Sequence, residues 1–131
     1  MLFAQAAAEA TAISNDNARA APVAISGATG SNAAFINGVY EPTHKKRRNG
    51  RVLYRKRSNP SLIMEHFGGM WGVTDVSSKG TGACMAYVAG GCAAEACTSR
   101  MWKVTFDGAT FHDAPSVQMV AVSEVSSCCV Q

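Results

Sequence analysis

Eight basic residues crowd into 13 consecutive positions and give the sequence its strongest chemical signal. They are Lys45, Lys46, Arg47, Arg48, Arg51, Arg55, Lys56 and Arg57. No acidic residue occurs from Pro42 to Met64, whereas the rest of the chain is net acidic. If residues 45–57 form the turn and second strand of a hairpin, their side chains make one cationic patch beside Tyr54. Such a patch can neutralise the phosphates of a nucleic acid or of an anionic membrane surface.

Three other interpretations of this basic segment stay open. It can bind an acidic partner protein, act as a nuclear-localisation stretch, or keep an edge strand solvated so that it does not pair with another chain. Tyr54 is the single aromatic residue between positions 45 and 57, which is too few for a platform on which bases stack. The segment therefore predicts binding through charge without selecting the partner.

The cysteines and histidines lack the spacing of a metal or catalytic motif. They are Cys84, Cys92, Cys97, Cys128, Cys129, His44, His66 and His112. There is no CxxC pair, and an odd number of thiols cannot all form disulfides. A thiol hydrolase would need His112 as base and Asp113 to orient it, but neighbours on a strand point to opposite faces. We therefore predict no catalytic residue, no metal and no cofactor. We interpret the cysteines as free thiols, which favours a reducing compartment such as the cytoplasm or a plastid.

Length and composition describe one small domain. The chain has 131 residues, 47% of them hydrophobic and 16% charged, with a net charge of +3. Its apolar stretches are too short for a transmembrane helix, and its composition is not that of a disordered polyelectrolyte. The glycine-rich stretches at 26–30 and 79–82 lack the spacing of a phosphate-binding loop, so we expect flexible connections there.

Residues 35–122 are expected to form the folded module. Nine of the 10 aromatic residues fall between Phe35 and Phe111, in short runs with period-two alternation. Tight hairpins are predicted at Gly68-Gly69 and at Asp107-Gly108, the latter with a type I′ turn. Strands are expected at residues 35–40, 51–55, 62–67, 70–74, 100–106 and 117–122, with a weaker signal at 84–88. The fold class is mainly β, a single small antiparallel sheet curled as a barrel or sandwich.

Two tryptophans, Trp71 and Trp102, are interpreted as the largest core residues of this sheet. In a domain of this size, large aromatic side chains are usually buried. The alternative is that they line a carbohydrate or peptide groove together with Tyr54.

The two ends of the chain differ from the module. Residues 1–34 contain 13 alanines and form an Ala-rich leader, with high helix propensity from Ala4 to Ile13. A single short helix is marginal in water, so this segment would either dock against a partner or stay loose. A remnant of a targeting peptide is the alternative. Residues 123–131 are interpreted as a Ser/Cys tail.

Four motifs in a fixed order carry a resemblance to a known module. They are NGVYEPT at 37–43, NGRVLYRK at 49–56, GMWGV at 69–73 and PSV at 115–117. The order resembles a small module of predicted, often multidomain proteins of dinoflagellates, other algae and protists, with Val52-Leu53 in place of its usual Pro-Val. The resemblance covers about two thirds of the chain and implies a β-rich domain, without implying an activity.

Together these patterns predict a protein that works by binding. We expect a non-catalytic interaction or accessory module, such as a small subunit of a larger algal or protist assembly. The alternative is a protein that binds nucleic acid or an anionic membrane through its basic hairpin. A thiol-dependent hydrolase is the third prediction.

Overall fold

A computed structural model describes residues 11, 13–15, 17–18, 20–46, 50–81, 83–90, 93–94, 97 and 101–122, without the side chains of 44–46. The described chain is mainly β, as predicted. It contains β1 (Val23–Ser26), α1 (Ala33–Ile36), β2 (Gly38–Lys46), β3 (Val52–Lys56), β4 (Leu62–Phe67), β5 (Met70–Asp75), a 3₁₀ turn (Val76–Ser78), β6 (Ala86–Ala89), β7 (Trp102–Thr105), β8 (Phe111–Ala114) and β9 (Gln118–Ala121). Each described residue from 11 to 18 is also helical.

All nine strands form one antiparallel sheet in the order β8-β7-β6-β5-β4-β3-β2-β1-β9. The two end strands follow each other in sequence and are joined by residues 115–117 alone. Laid flat, nine strands would separate β8 from β9 by about 38 Å, whereas such a short link spans at most about 14 Å. The sheet must therefore curl into a half-barrel that brings its two ends together.

The two end strands also run in the same direction, because eight antiparallel steps separate them. They behave as one long strand broken at Pro115, whose first half pairs with β7 and whose second half pairs with β1. We call the region around residues 115–117 the seam. At the seam the chain passes from one edge of the sheet to the other.

The inner face of the curled sheet is filled with large side chains. The largest fully buried ones include Trp71, Trp102, Tyr40, Tyr54, Ile25, Ile36, Met64 and Met119. They come from strands far apart in sequence and from α1, and they form one core cluster. Burying a large apolar side chain contributes about 1.5–3 kcal/mol each, which is the main stabilisation available to so small a domain.

β1 lies within the segment that composition assigned to the leader. Val23 and Ile25 are 0% and 2% exposed, and β1 pairs with β2 on one side and with β9 on the other. The composition boundary at Phe35 therefore does not coincide with the start of the sheet. The reason is that a four-residue strand is too short to stand out from its alanine-rich surroundings.

Most predicted strands are present, with shifts at their ends. β4 matches the predicted range, and the Gly68-Gly69 turn has positive φ at both residues, 59° and 81°. The run 35–40 was wrong at its start, because Phe35 and Ile36 belong to α1. The weaker signal at 84–88 corresponds to β6. No helix among the described residues is long and apolar enough to cross a membrane.

The turn at Asp107-Gly108 differs from the type I′ turn that was predicted. Gly108 has a φ of 83°, but no non-glycine residue of the described chain has a positive φ, and a type I′ turn needs two. Instead the Asp107 carboxylate accepts hydrogen bonds from the backbone N–H groups of Ala109 and Thr110, both at 2.8 Å. These bonds lower the pKa of Asp107 to about 2 and hold a longer loop.

Candidate functional site

The basic segment lies on the hairpin of β2 and β3, as expected, but its tip falls outside the described residues. The side chains of Lys45 and Lys46 are not described, nor are Arg47 and Arg48. The pairing of β2 with β3 is irregular between Pro42 and Lys46. The described part of the proposed patch is therefore limited to the four basic residues of 51–57.

Lys56 does not belong to an exposed patch, which corrects the sequence-based expectation. It is 4% exposed, and its Nζ donates to the carbonyl oxygens of Ala34 at 2.6 Å and Phe35 at 3.1 Å. Lys56 shares the inner face of β3 with Tyr54, so its ammonium reaches the unsatisfied carbonyls at the end of α1. Burial lowers the pKa of Lys56, and the charge is used to hold α1 against the sheet.

Tyr40 supports the same helix end. Its hydroxyl donates to the carbonyl oxygen of Ile36 at 2.7 Å, and burial raises the pKa of Tyr40 well above its usual value. Gly38 makes room for this arrangement, because a Cβ there would lie 2.5 Å from Cε of Lys56. The NGVYEPT and NGRVLYRK motifs thus meet through Gly38, Tyr40 and Lys56 around α1.

The three described arginines are not arranged as one solvated cluster either. Arg51 is 6% exposed, which places it among the buried residues. Arg55 is partly buried, and its Nε has no hydrogen-bond partner among the described residues. Arg57 is exposed, but its Nε lies 3.2 Å from Oε1 of Glu41 in an ion pair. Exposed pairs of this kind contribute about 0–1 kcal/mol and reduce the local positive charge.

Asn17, in the helical part of the leader, contacts the turn end of this hairpin. The Asn17 side chain donates from Nδ2 to the Gly50 carbonyl oxygen at 2.8 Å and accepts at Oδ1 from the Val52 N–H at 3.0 Å. A side-chain amide can replace a neighbouring strand in this way, because it has the same donor and acceptor as a peptide group. Asn17 therefore ties the leader to the sheet of its own chain.

Tyr54, Trp71 and Trp102 do not line a groove. Each is 1% exposed and belongs to the core cluster, which confirms the core interpretation and corrects the alternative. The Trp71 ring makes edge contacts with Tyr54 and with His66, at centroid distances of 5.6 and 5.0 Å. Edge-to-face geometry of this kind is typical of packed aromatic cores.

The described thiols and imidazoles serve in packing and hydrogen bonding. Burial, and then the charge of Glu65, raises the pKa of Cys84, which disfavours the thiolate that a nucleophile needs. Cys97 is buried and its Sγ donates to the Ala93 carbonyl oxygen at 3.5 Å. His66 is 8% exposed, and its Nε2 donates to the Gly90 carbonyl oxygen at 2.8 Å.

Groups of three or more potential metal-ligating side chains do not occur within the part of the chain that the structure describes. Cys92, Cys128 and Cys129 lie outside it, as does the side chain of His44. His112 is exposed at the end of β8, where its ring stacks on that of Phe106.

A row of apolar side chains crosses the outer face of the sheet, and the sequence did not point to it. Phe67 pairs with Met70, Met70 pairs with Ala89, and Met101 lies one position beyond the last pair of β6 with β7. Phe67 is 42% exposed and Met101 50%. We call these four residues the apolar row. Each strand alone shows one such residue, whereas the strand register makes Phe67, Met70 and Ala89 neighbours, and Met101 directly precedes β7.

A cleft of about 220 Å³ opens beside the seam. Its floor is apolar and includes Val104 and Val117, which are 2% and 5% exposed. One wall consists of the stacked rings of Phe106 and His112, with centroids 5.8 Å apart and planes inclined by 25°. Thr29 also lines the cleft and belongs to the stretch 26–30, where the sequence predicted a flexible connection.

That glycine-rich stretch is fixed in place by close contacts. A Cβ at Gly27 would lie 1.9 Å from the Ser116 carbonyl oxygen, and the Ser116 hydroxyl donates to the Gly27 carbonyl oxygen at 2.8 Å. A Cβ at Gly30 would lie 2.6 Å from Cε1 of Phe106. Asn32 then donates from Nδ2 to the Thr105 carbonyl oxygen at 2.6 Å. The cleft is thus held open by the backbone that surrounds it.

Comparisons with family models, with curated proteins and with solved structures give no match to this chain.

Proposed function

We propose that the chain is a non-catalytic interaction module that binds a partner protein through the apolar row on its outer face. The observation that carries the proposal is the exposure of Phe67 and Met101, 42% and 50%. Contiguous exposed apolar side chains are characteristic of interaction sites, and methionine adapts its shape to the surface that it meets.

The charges around the apolar row favour an uncharged protein surface as its partner. The nearest described charges one row away are Lys103 and Asp113, which form an ion pair with each other. Glu65 lies in the same cross-strand row as Lys103 and Asp113. It is only 3% exposed, so it presents no charge to solvent. A partner with its own apolar patch would bury Phe67, Met70 and Met101 without stranding a charge.

The experiment uses the chain as bait in an extract of its source. Wild type should retain one partner that the double variant Phe67→Ser, Met101→Ser loses. Val76→Ser is the matched control, because Val76 is equally exposed, at 50%, but lies in the 3₁₀ turn outside the apolar row. Equal capture by all three proteins would contradict the proposal.

Binding of a nucleic acid or an anionic membrane through the basic hairpin is the second candidate. The local excess of positive charge in residues 45–57 favours it. The burial of Arg51 and Lys56 and the pairing of Arg57 with Glu41 weigh against it. Titration with a generic DNA duplex and with phosphatidylserine vesicles separates the two proposals. Binding that weakens steeply with salt and survives loss of the apolar row would favour the second.

A thiol-dependent hydrolase is the least supported of the three proposals. An activated thiol nucleophile is accessible and has a lowered pKa, whereas the pKa of Cys84 is raised and Cys97 is buried. Rapid labelling of one cysteine at neutral pH, much faster than that of the others, would favour this reading.

A further inference from the structure

The cleft beside the seam has the shape and lining of a small ligand site. Its volume is about 220 Å³. A cavity of about 150 Å³ accepts benzene, whereas sites for drug-sized molecules begin at about 300 Å³. One ring with a small substituent therefore matches the space, and a nucleotide does not.

The ring wall indicates which kind of group would occupy it. Phe106 remains 49% exposed although it is stacked on His112 and backed by Gly30. Exposed aromatic surface favours a second planar ring, because offset stacking adds to the gain from apolar burial. The contacts of Phe106 with Gly30 and His112 reduce the side-chain freedom that Phe106 would otherwise lose on binding.

The polar atoms at the rim indicate a neutral ligand with one donor or acceptor. Asp113 is in contact with Lys103, so the charge of this carboxylate is already balanced. The ring nitrogens of His112 and the hydroxyl of Thr29 make no hydrogen bond with any described residue. They can therefore pair with an O–H or N–H group on a ligand.

We propose that this cleft binds a single neutral aromatic ring that carries an O–H or N–H group, as in phenol or indole. The ring can belong to a free small molecule or to a tyrosine or tryptophan side chain of a peptide. The inference stands apart from the proposed function, because the cleft and the apolar row share no residue.

The first test compares two probes on the wild-type chain by amide NMR shifts. The aromatic probe, p-cresol, should shift the amides of residues 28–29, 106, 112–114 and 116–117, with a Kd on the order of 1–10 mM. The control probe, 4-methylcyclohexanol, has the same size and hydroxyl group without the ring. It should bind at least about threefold more weakly, because it cannot stack. Equal binding of the two probes, or shifts spread over the whole chain, would overturn the proposal.

The second test uses matched variants. Phe106→Leu should weaken p-cresol binding roughly threefold to tenfold. Phe67→Leu replaces a phenylalanine outside the cleft, 42% exposed against 49% for Phe106, and should leave p-cresol binding unchanged. Loss of binding in both variants, or in neither, would count against the cleft. If Phe106→Leu does not fold, the probe comparison on the wild-type chain decides alone.

The third test identifies the source of the ring. A capped Gly-Tyr-Gly peptide that binds more tightly than p-cresol, with shifts at the same residues, assigns the cleft to a partner's side chain. If the peptide is excluded while p-cresol binds, the ligand is a free small molecule.

Discussion

Replacing Gly27 by alanine tests whether the seam is held by a close backbone contact. Gly27 has a φ of 88°, and a Cβ there would lie 1.9 Å from the Ser116 carbonyl oxygen and 2.7 Å from its carbon. An ordinary contact needs more than 3 Å, so the two segments must separate by over about 1 Å. Since the obstructing atoms belong to the backbone, no side-chain rotation can relieve the contact.

The expected loss has two parts. The left-handed conformation costs an alanine about 1–2 kcal/mol, partly offset because alanine has less conformational freedom than glycine in the unfolded chain. Separation also breaks the 2.8 Å hydrogen bond from Ser116 to Gly27 and loosens the packing of Val117. These losses add about 2–3 kcal/mol. We expect the free energy of unfolding to fall by about 3–4 kcal/mol in all.

Gly108→Ala is the matched control. Gly108 has nearly the same φ, 83°, but a Cβ there would meet nothing within 4 Å. It should therefore carry only the conformational cost, about 1 kcal/mol. Urea unfolding of both variants, followed by tryptophan fluorescence, measures the difference. If the two variants lose stability to within about 0.5 kcal/mol of each other, the close contact at the seam does not have the role that we assign to it.

Three further predictions concern the hairpin, the leader and a buried histidine. Lys56→Met should lower the free energy of unfolding by about 2–3 kcal/mol, because the carbonyls at the end of α1 lose a charged donor. Arg57→Met removes only an exposed ion pair and should lower it by less than about 1 kcal/mol in the same urea assay. Asn17→Ala should lower the free energy of unfolding by about 1–2 kcal/mol, whereas Ser14→Ala should leave it unchanged. Deletion of residues 1–34 should abolish folding, as measured by circular dichroism, because it removes β1. Burial lowers the pKa of His66 below its ordinary value of 6.5. As the pH falls, the unfolded chain therefore binds a proton at a higher pH than the folded chain does. The contribution of His66 to stability should be complete above pH 6.5 and decrease as the pH drops below it. His66→Gln should flatten that slope, and an unchanged slope would mean that another group causes it.

The local pattern of the sequence was sufficient for the fold class and for most strands. Period-two alternation over Trp102 and Val104 and the glycines at 68–69 depend on neighbours in sequence, so they predicted β7 and the turn between β4 and β5 correctly. The burial of the two tryptophans followed from their size. The same local information could not find β1, because four residues within an alanine-rich stretch carry little pattern.

The candidate sites depended on which strands lie side by side. Lys56 looked like a member of a basic patch until the strand register placed it on the inner face beneath α1. Phe67 and Met101 are 34 positions apart, and Gly27 and Ser116 are 89 apart, so no local spacing relates them. The sequence by itself determined that a pleated, aromatic core would form, because alternation and residue size are local properties. Only the tertiary structure decided the apolar row, the cleft and the use of each charge, because these arise where the curled sheet brings distant residues together.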